Sequence, residues 1–201
     1  MKRPARDDGI TMIDVVVSMV VMSIVMVIFT TAFIQIMQSA SRTQTLAEAQ
    51  AKVNVAFLRL DKEIRYAAAI SAAGPVGADQ YVEYLTTNTG SRVCTELRVH
   101  GGRLQRRTWN QPAPPAVPGP GNVTPTAWIP LVPDVTSTAP FAFYDADSTH
   151  NFQRLELSLT VGDATGGLAK TRQTNITFTA LNTSLNTKGD TTECSEGRSI
   201  P

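Results

Sequence analysis

The sequence has few of the residues that build metal or catalytic centres. Its 201 residues include two cysteines, Cys94 and Cys194, and two isolated histidines, His100 and His150. The cysteines form no CxxC pair, whereas a structural zinc site needs about four nitrogen or sulfur ligands. The 18 lysines and arginines nearly balance 17 aspartates and glutamates, so no net charge marks a nucleic-acid binder. We therefore expect no zinc site, no cofactor and no enzymatic activity.

Charge is missing from residues 15–41. This run exceeds the roughly 20 residues that a helix needs to cross the hydrocarbon core of a bilayer. Lys2, Arg3 and Arg6 precede it, so the positive-inside rule keeps the N-terminus in the cytoplasm and exports the C-terminal part of the chain. A cleaved signal peptide is disfavoured because its apolar region is only about 7 to 15 residues long. The pattern predicts a single-pass membrane protein with an exported C-terminal head.

Glycine and proline, the strongest helix breakers, are absent from residues 10–73. One continuous helix is therefore predicted, with a membrane segment over 10–41 and an amphipathic continuation over 42–73. In the continuation, apolar residues recur at spacings of three and four, a pattern that packs one helix stripe on a core. The members of this stripe are Leu46, Ala49, Val53, Phe57, Leu60, Ile64 and Ala67.

Residues 74–201 have the alternation and turn residues of an antiparallel sheet, which makes the fold class α+β. His100-Gly101-Gly102 lies between two alternating runs and predicts a hairpin. Residues 111–125 are too rich in proline for a helix or a central strand and predict a loop.

The polar tail from residue 182 has no core pattern, but a Cys94–Cys194 disulfide, expected in an exported domain, would staple it to the hairpin. The predicted strands cover residues 81–86, 92–99, 103–109, 141–144, 153–161 and 171–180.

The stretch Gly9-Ile10-Thr11-Met12-Ile13-Asp14, followed by a long apolar helix, resembles the signature of type IV prepilins and pseudopilins. The family usually reads G-F-T-L-I-E, so Ile10 stands in place of Phe and Asp14 in place of Glu. Three looser stretches, 59–67, 102–106 and 141–145, are similar to minor pseudopilins of the J type and to related minor pilins.

The resemblance implies a leader of residues 1–9, cut by a prepilin peptidase after Gly9, and methylation of the new amine on Ile10. The subunit then leaves the membrane and joins a type IV pilus or a fibre like that of type II secretion, at its tip or initiation complex. Its partners are other pilin or pseudopilin subunits. Thr11 and Asp14 belong to the assembly signature, and the Asp14 carboxylate pairs with the amine of a neighbouring subunit. The final location is a cell-surface or periplasmic fibre.

A second hypothesis is a plain membrane anchor whose ectodomain binds an extracellular ligand. The ligand would be either an adhesion partner or DNA. Arg103, Arg106 and Arg107 beside Trp109 could contact nucleic acid, although three arginines on a strand usually form a solvated face, which we favour.

Residues 145–149 carry alternating oxygen ligands, with Asp145 and Asp147 as calcium candidates. They lack the glycine and closing glutamate of an EF-hand. We therefore favour a turn between strands.

Overall fold

The computed structural model describes residues 11–87, 90–112, 116–163, 170–187 and 192–200. The chain divides into two compact units, residues 1–47 and 48–201. Helix α1 (Met12–Arg65) contains the first unit's described residues after Thr11 and begins the second unit. Its part from Met12 to Gln44 has a mean hydropathy of 2.7 and is long and apolar enough to cross a membrane. The coarse prediction of an apolar N-terminal helix that could span a membrane is confirmed.

Two antiparallel sheets come after α1, which confirms the α+β class. In sheet A, strands β1, β3, β4, β5 and β6 are neighbours in that order, and β2 pairs with β3; sheet B has the order β7-β8-β9. Two short 3-10 helices, Leu185–Thr187 and Ser195–Ser199, lie in the tail. The strands are β1 (Ala67–Ile70), β2 (Gly74–Val76), β3 (Asp79–Thr86), β4 (Val93–His100), β5 (Arg103–Asn110), β6 (Ile129–Val132), β7 (Phe141–Tyr144), β8 (Arg154–Asp163) and β9 (Lys170–Thr179).

The predicted continuation of the helix to residue 73 is wrong. Helix α1 ends at Arg65, and Ala67–Ile70 pairs antiparallel with β3. Alanine favours helix, but strand pairing and packing override so weak a preference. Long-range bonds hold the new path: the Leu181 amide donates to the Arg65 carbonyl at 3.0 Å, and the Ile70 amide donates to Gln153 Oε1 at 2.9 Å.

All six predicted strands are present with ends shifted by a few residues, whereas β1, β2 and β6 were not predicted. Strands β2 and β6 contain Pro75 and Pro130 and are only three and four residues long. Proline is confined to edges and bulges of sheets because it cannot donate to the ladder. Short strands of this kind have no recognisable alternation.

The predicted hairpin is confirmed at Gly101 and Gly102, which join β4 to β5. Their φ angles are 56° and 71°, in the left-handed region. A two-residue turn with both φ angles positive matches the twist of the paired strands, and glycine adopts it without steric cost.

The core of the second unit lies between the amphipathic part of α1 and both sheets. Sheet A contributes alternate residues of one face, and sheet B contributes the alternation Leu155, Leu157 and Leu159. The ring of Phe57 meets Phe178 edge-on, with centroids 6.2 Å apart. The predicted stripe is confirmed for Val53, Phe57, Leu60 and Ile64, which are buried; Ala67 is buried but lies in β1, and the side chains of Leu46 and Ala49 lie outside the described part.

Candidate functional site

The first turn of α1 brings Thr11 and Asp14 together. The Thr11 hydroxyl donates to Asp14 Oδ2 at 2.7 Å, and the Thr11 amide donates to the same oxygen at 3.2 Å. In return, the Asp14 amide approaches Thr11 Oγ1 at 3.4 Å. Thr11 thus occupies the N-cap position and Asp14 the third helical position of a capping box, which satisfies amides that have no partner inside the helix.

The Asp14 carboxylate has capacity beyond this cap. Both hydrogen bonds from Thr11 end on Oδ2, and Asp14 is exposed. A carboxylate accepts about four hydrogen bonds, so Oδ1 can meet a donor from another molecule. Gly9 and Ile10, the two residues that the resemblance assigns to processing, lie outside the described residues.

The apolar surface of the first part of α1 is exposed on all sides. The large apolar side chains of residues 12–37 range from 43% exposed at Val15 to 86% at Met12. A helix that is apolar all round is stable only within a membrane or within a larger protein core. This segment therefore requires a lipid or protein environment.

The predicted disulfide is confirmed between Cys94 on β4 and Cys194 in the tail. Their Cα atoms are 5.7 Å apart, and both residues are fully buried. They pack in a small cluster with Leu85, Trp109 and Val123. The bridge closes a loop with a sequence separation of 100 residues, so it connects the end of the chain to the first hairpin of the head.

The described end of the chain, residues 192–200, is called here the C-terminal strap. Arg107 on β5 donates from Nη2 to the carbonyls of Gly197 and Ile200 at 2.8 and 2.6 Å. Arg198 donates to the Ala72 carbonyl at 2.6 Å and to both carboxylate oxygens of Glu83. The strap is thereby held by charged side chains and the disulfide together.

Gly197 lies against the ring of Trp109. A Cβ at this position would collide with ring atoms of that tryptophan, so glycine permits the close approach. The Trp109 Nε1 donates to Glu196 Oε1 at 3.1 Å, which fixes the ring from the strap side. The strap had no predicted structure apart from its cysteine, because a polar segment with no periodicity carries no packing signal.

Two glutamates face each other under the strap. Glu83 on β3 is paired in register with Glu96 on β4, and both are fully buried. Burial raises the pKa of Glu83 despite Arg198, and it raises the pKa of Glu96 to about 7 despite Arg107. The Nε of Arg107 donates to Glu96 Oε2 at 2.5 Å, whereas Glu96 Oε1 has no hydrogen-bond partner in the described chain.

The favoured prediction that the arginines of β5 form a solvated face is wrong for two of them. Arg107 is 2% exposed and is committed to Glu96 and the strap. Arg106 donates to Glu63 on α1 at 2.9 Å, and Tyr84 donates to the same carboxylate at 2.7 Å. Burial raises the pKa of Glu63, but these donors outweigh it and leave the pKa lowered. Charged side chains that leave water on a strand are stabilised by ion pairs of this kind.

Trp128 adds a further contact to this region. The guanidinium carbons of Arg98 and Arg107 lie 3.8 and 4.1 Å from its ring centroid, within cation–π range. Its own Nε1 is buried and has no hydrogen-bond partner in the described residues. Some of the arginines that could have contacted DNA are therefore engaged in contacts within the head.

The calcium candidates Asp145 and Asp147 are used in local turn bonds. Asp147 Oδ1 accepts the amides of Thr149 and His150, each at 2.7 Å, and these bonds lower its pKa. Asp145 Oδ1 accepts the Ala146 amide at 2.9 Å. Across the described ranges, no group of three histidine, cysteine or acidic side chains is placed to hold a metal. The geometry is that of the favoured turn.

Comparison with protein-family models gave no matching family, and comparison with curated proteins gave no match. The order of a long apolar N-terminal helix and then an antiparallel sheet is consistent with a pilin-like architecture.

We predict that removal of the disulfide greatly reduces the stability of the head. We expect Cys194→Ser to lower the free energy of unfolding by about 4.7 kcal/mol, the chain-entropy value for a loop of about 100 residues. The measurement is denaturant unfolding of the full chain in detergent, monitored by fluorescence of Trp109 and Trp128. Ser195→Ala, which keeps the bridge, is the control. Equal midpoints for Cys194→Ser and the control would show that the bridge does not stabilise the head.

From the burial of Glu96 we predict how the free energy of unfolding of the head depends on pH. Because its pKa is about 7 in the folded chain and 4.5 as the ordinary value, the folded state binds this proton more tightly. Its contribution to stability is complete below pH 4.5 and is lost as the pH rises through about 7. We expect Glu96→Gln to flatten the fall in unfolding free energy over this window, whereas Glu156→Gln, on the other sheet, leaves it unchanged. Identical pH profiles for both variants would contradict the assignment.

Proposed function

We propose that this chain is a structural subunit of the minor pilin or pseudopilin type, without enzymatic activity. It is processed by a prepilin peptidase and assembled into a pilus or a secretion-type fibre, at the tip or in the initiation complex. The observation that carries the proposal is the exposed carboxylate of Asp14 on the first turn of an apolar helix. The resemblance of residues 9–14 to the prepilin signature supports it.

In this proposal, the cap favours a charged Asp14 before assembly. A charge at the centre of a membrane-spanning helix costs about 2.5 to 3.5 kcal/mol, and less near the interface. Asp14 is at the entrance of the span, where the helix dipole and the bonds from Thr11 both favour a carboxylate. An ionised acid is therefore available to a cationic amine.

Cleavage after Gly9 would create that amine on Ile10. In a fibre, the amine of one subunit would meet Asp14 Oδ1 of its neighbour, and each charge would compensate the other. Breaking a buried ion pair by removing one partner costs about 3 to 5 kcal/mol, so such a pair would select the register of assembly. The exposed apolar residues 12–37 would exchange the membrane for the helices of neighbouring subunits.

Processing is tested by changing Gly9. Co-expression with a prepilin peptidase should yield a chain that begins at Ile10, as measured by intact mass. Gly9→Val should block the cut because a branched side chain does not fit a site shaped for glycine. Ala5→Val, which puts the same side chain elsewhere in the leader, should be cut normally. An uncut wild-type chain under these conditions would refute the pilin proposal.

The two roles of Asp14 are separated by comparing Asp14→Asn with Asp14→Ala. Asparagine removes the charge but keeps an oxygen that can accept the bonds from Thr11. We expect Asp14→Asn to reduce incorporation into fibres by about tenfold or more, because an unpaired buried amine costs more than the roughly 1.4 kcal/mol of a tenfold change. The measurement is the ratio of fibre-bound to membrane-bound protein on immunoblots.

Normal incorporation of Asp14→Asn together with loss in Asp14→Ala would assign Asp14 to helix capping alone. That outcome would favour the second candidate, a plain anchor with a ligand-binding ectodomain. The capping box is the observation on its side, since it accounts for Thr11 and Asp14 without any partner. A DNA-binding form of this candidate is weakened because Arg106 and Arg107 are engaged inside the head.

A further inference from the structure

Strand β9 forms one edge of sheet B. It has ten residues, Lys170–Thr179, and pairs with β8 along one side. Its other side pairs with no strand of the described chain. An edge of this kind presents a row of backbone amides and carbonyls that another strand can bind.

Natural edge strands are usually short, bulged, or protected by proline and lysine. Residues 170–179 contain neither proline nor glycine. The register with β8 continues without a bulge from Arg154↔Thr179 to Asp163↔Lys170. The sequence of β9 has two charged residues, Lys170 at its first position and Arg172, and none from residue 173 to residue 179. This edge is therefore long and regular, and its charges are confined to its first three residues.

We propose that β9 pairs antiparallel with β9 of a second copy of this chain, centred on Thr174, so that two three-stranded sheets form one of six strands. The proposal does not depend on the pilin function. A symmetric pair of this kind uses the same strand on both copies, as interfaces with two-fold symmetry do.

The sequence of β9 is complementary to itself in this register. Gln173 lies opposite Asn175 of the second copy, Thr171 opposite its Thr177, and Arg172 opposite its Ile176. Threonine pairs and amide pairs across strands are favourable, and the aliphatic stem of Arg172 can cover Ile176. A parallel in-register pair would instead set Arg172 against Arg172, which is unfavourable. Charge therefore selects the antiparallel arrangement.

The amides of Gln173 and Asn175 carry the most specific part of the proposal. Within one copy, Asn175 Oδ1 accepts from Ser158 Oγ at 2.8 Å and from Gln173 Nε2 at 3.3 Å. The amino group of Asn175 and the Oε1 of Gln173 form no hydrogen bond within the described residues. They are a donor and an acceptor, so each copy can donate from Asn175 to Gln173 of the other, twice by symmetry.

Cysteine cross-linking of the full chain in detergent tests the register. Thr174→Cys places two thiols directly opposite each other, at a Cα separation of about 4.5 to 5.5 Å that suits a disulfide. Mild oxidation should give a covalent dimer on a non-reducing gel. Thr177→Cys is the matched control because its two copies would lie six residues apart along the strands, roughly 20 Å. It should run as a monomer on the non-reducing gel, because its two thiols are too far apart to be cross-linked.

A mixture of Thr171→Cys and Thr177→Cys chains provides an independent check. Each variant alone should give no dimer, whereas the mixture should give a cross-linked heterodimer. Adding Asn175→Lys to Thr174→Cys should reduce the dimer yield several-fold, while Thr160→Lys, on the same face but one strand inward, should not.

Two results would overturn the proposal. One is a monomeric Thr174→Cys chain together with an unlinked mixture, which would show that β9 is free or binds another partner. The other is equal cross-linking of Thr174→Cys and Thr177→Cys, which would show random collision of chains brought together by their apolar helices.

Discussion

The ion pairs of the buried Glu83 and Glu96 with two arginines are the interaction on which one face of sheet A, the face under the C-terminal strap, depends. Two adjacent carboxylates cannot both be buried in the ionised form without cations, because each would face the desolvation cost and the repulsion of the other. Arg107 comes from the sheet itself, but Arg198 comes from the C-terminal strap. The sheet therefore needs the strap, and the disulfide at Cys194 holds the strap where Arg198 can reach Glu83. The polar tail is a structural part of the head.

The apolar part of α1 is subject to a different requirement. Its apolar side chains between residues 12 and 37 are exposed and would be unstable in water, so this segment needs lipid or contact with other protein. The head, in contrast, has its own core between α1, sheet A and sheet B. One chain thus combines a segment that requires a partner with a unit that buries its own apolar surface. The subunit that we propose, which moves from a membrane into a fibre, would need this combination of properties.

Sequence patterns predicted the elements that are set by local or periodic signals. The hairpin at Gly101 and Gly102 and the alternation of Leu155, Leu157 and Leu159 were both recoverable, because turn chemistry and period two are properties of short segments. Strand β1 was missed because its alanines favour a helix until β3 pairs with them. The positions of Arg106 and Arg107 were also missed, since a charged residue on a strand is ordinarily exposed and its partners Glu63 and Glu96 are distant or on another strand.

The sequence by itself determined that an apolar helix precedes a β-rich head, and it supplied the two cysteines and the stretch from Gly9 to Asp14 that resembles the prepilin signature. These features depend on composition, spacing and short-range geometry, which are properties of short segments of the sequence. Only the tertiary structure decided where α1 ends, which arginines are buried, and that β9 is left at an edge. The reason is that each of these features depends on contacts between residues that are far apart in the chain. Which of the possible contacts form is decided by the energies of burial and strand pairing in the folded state.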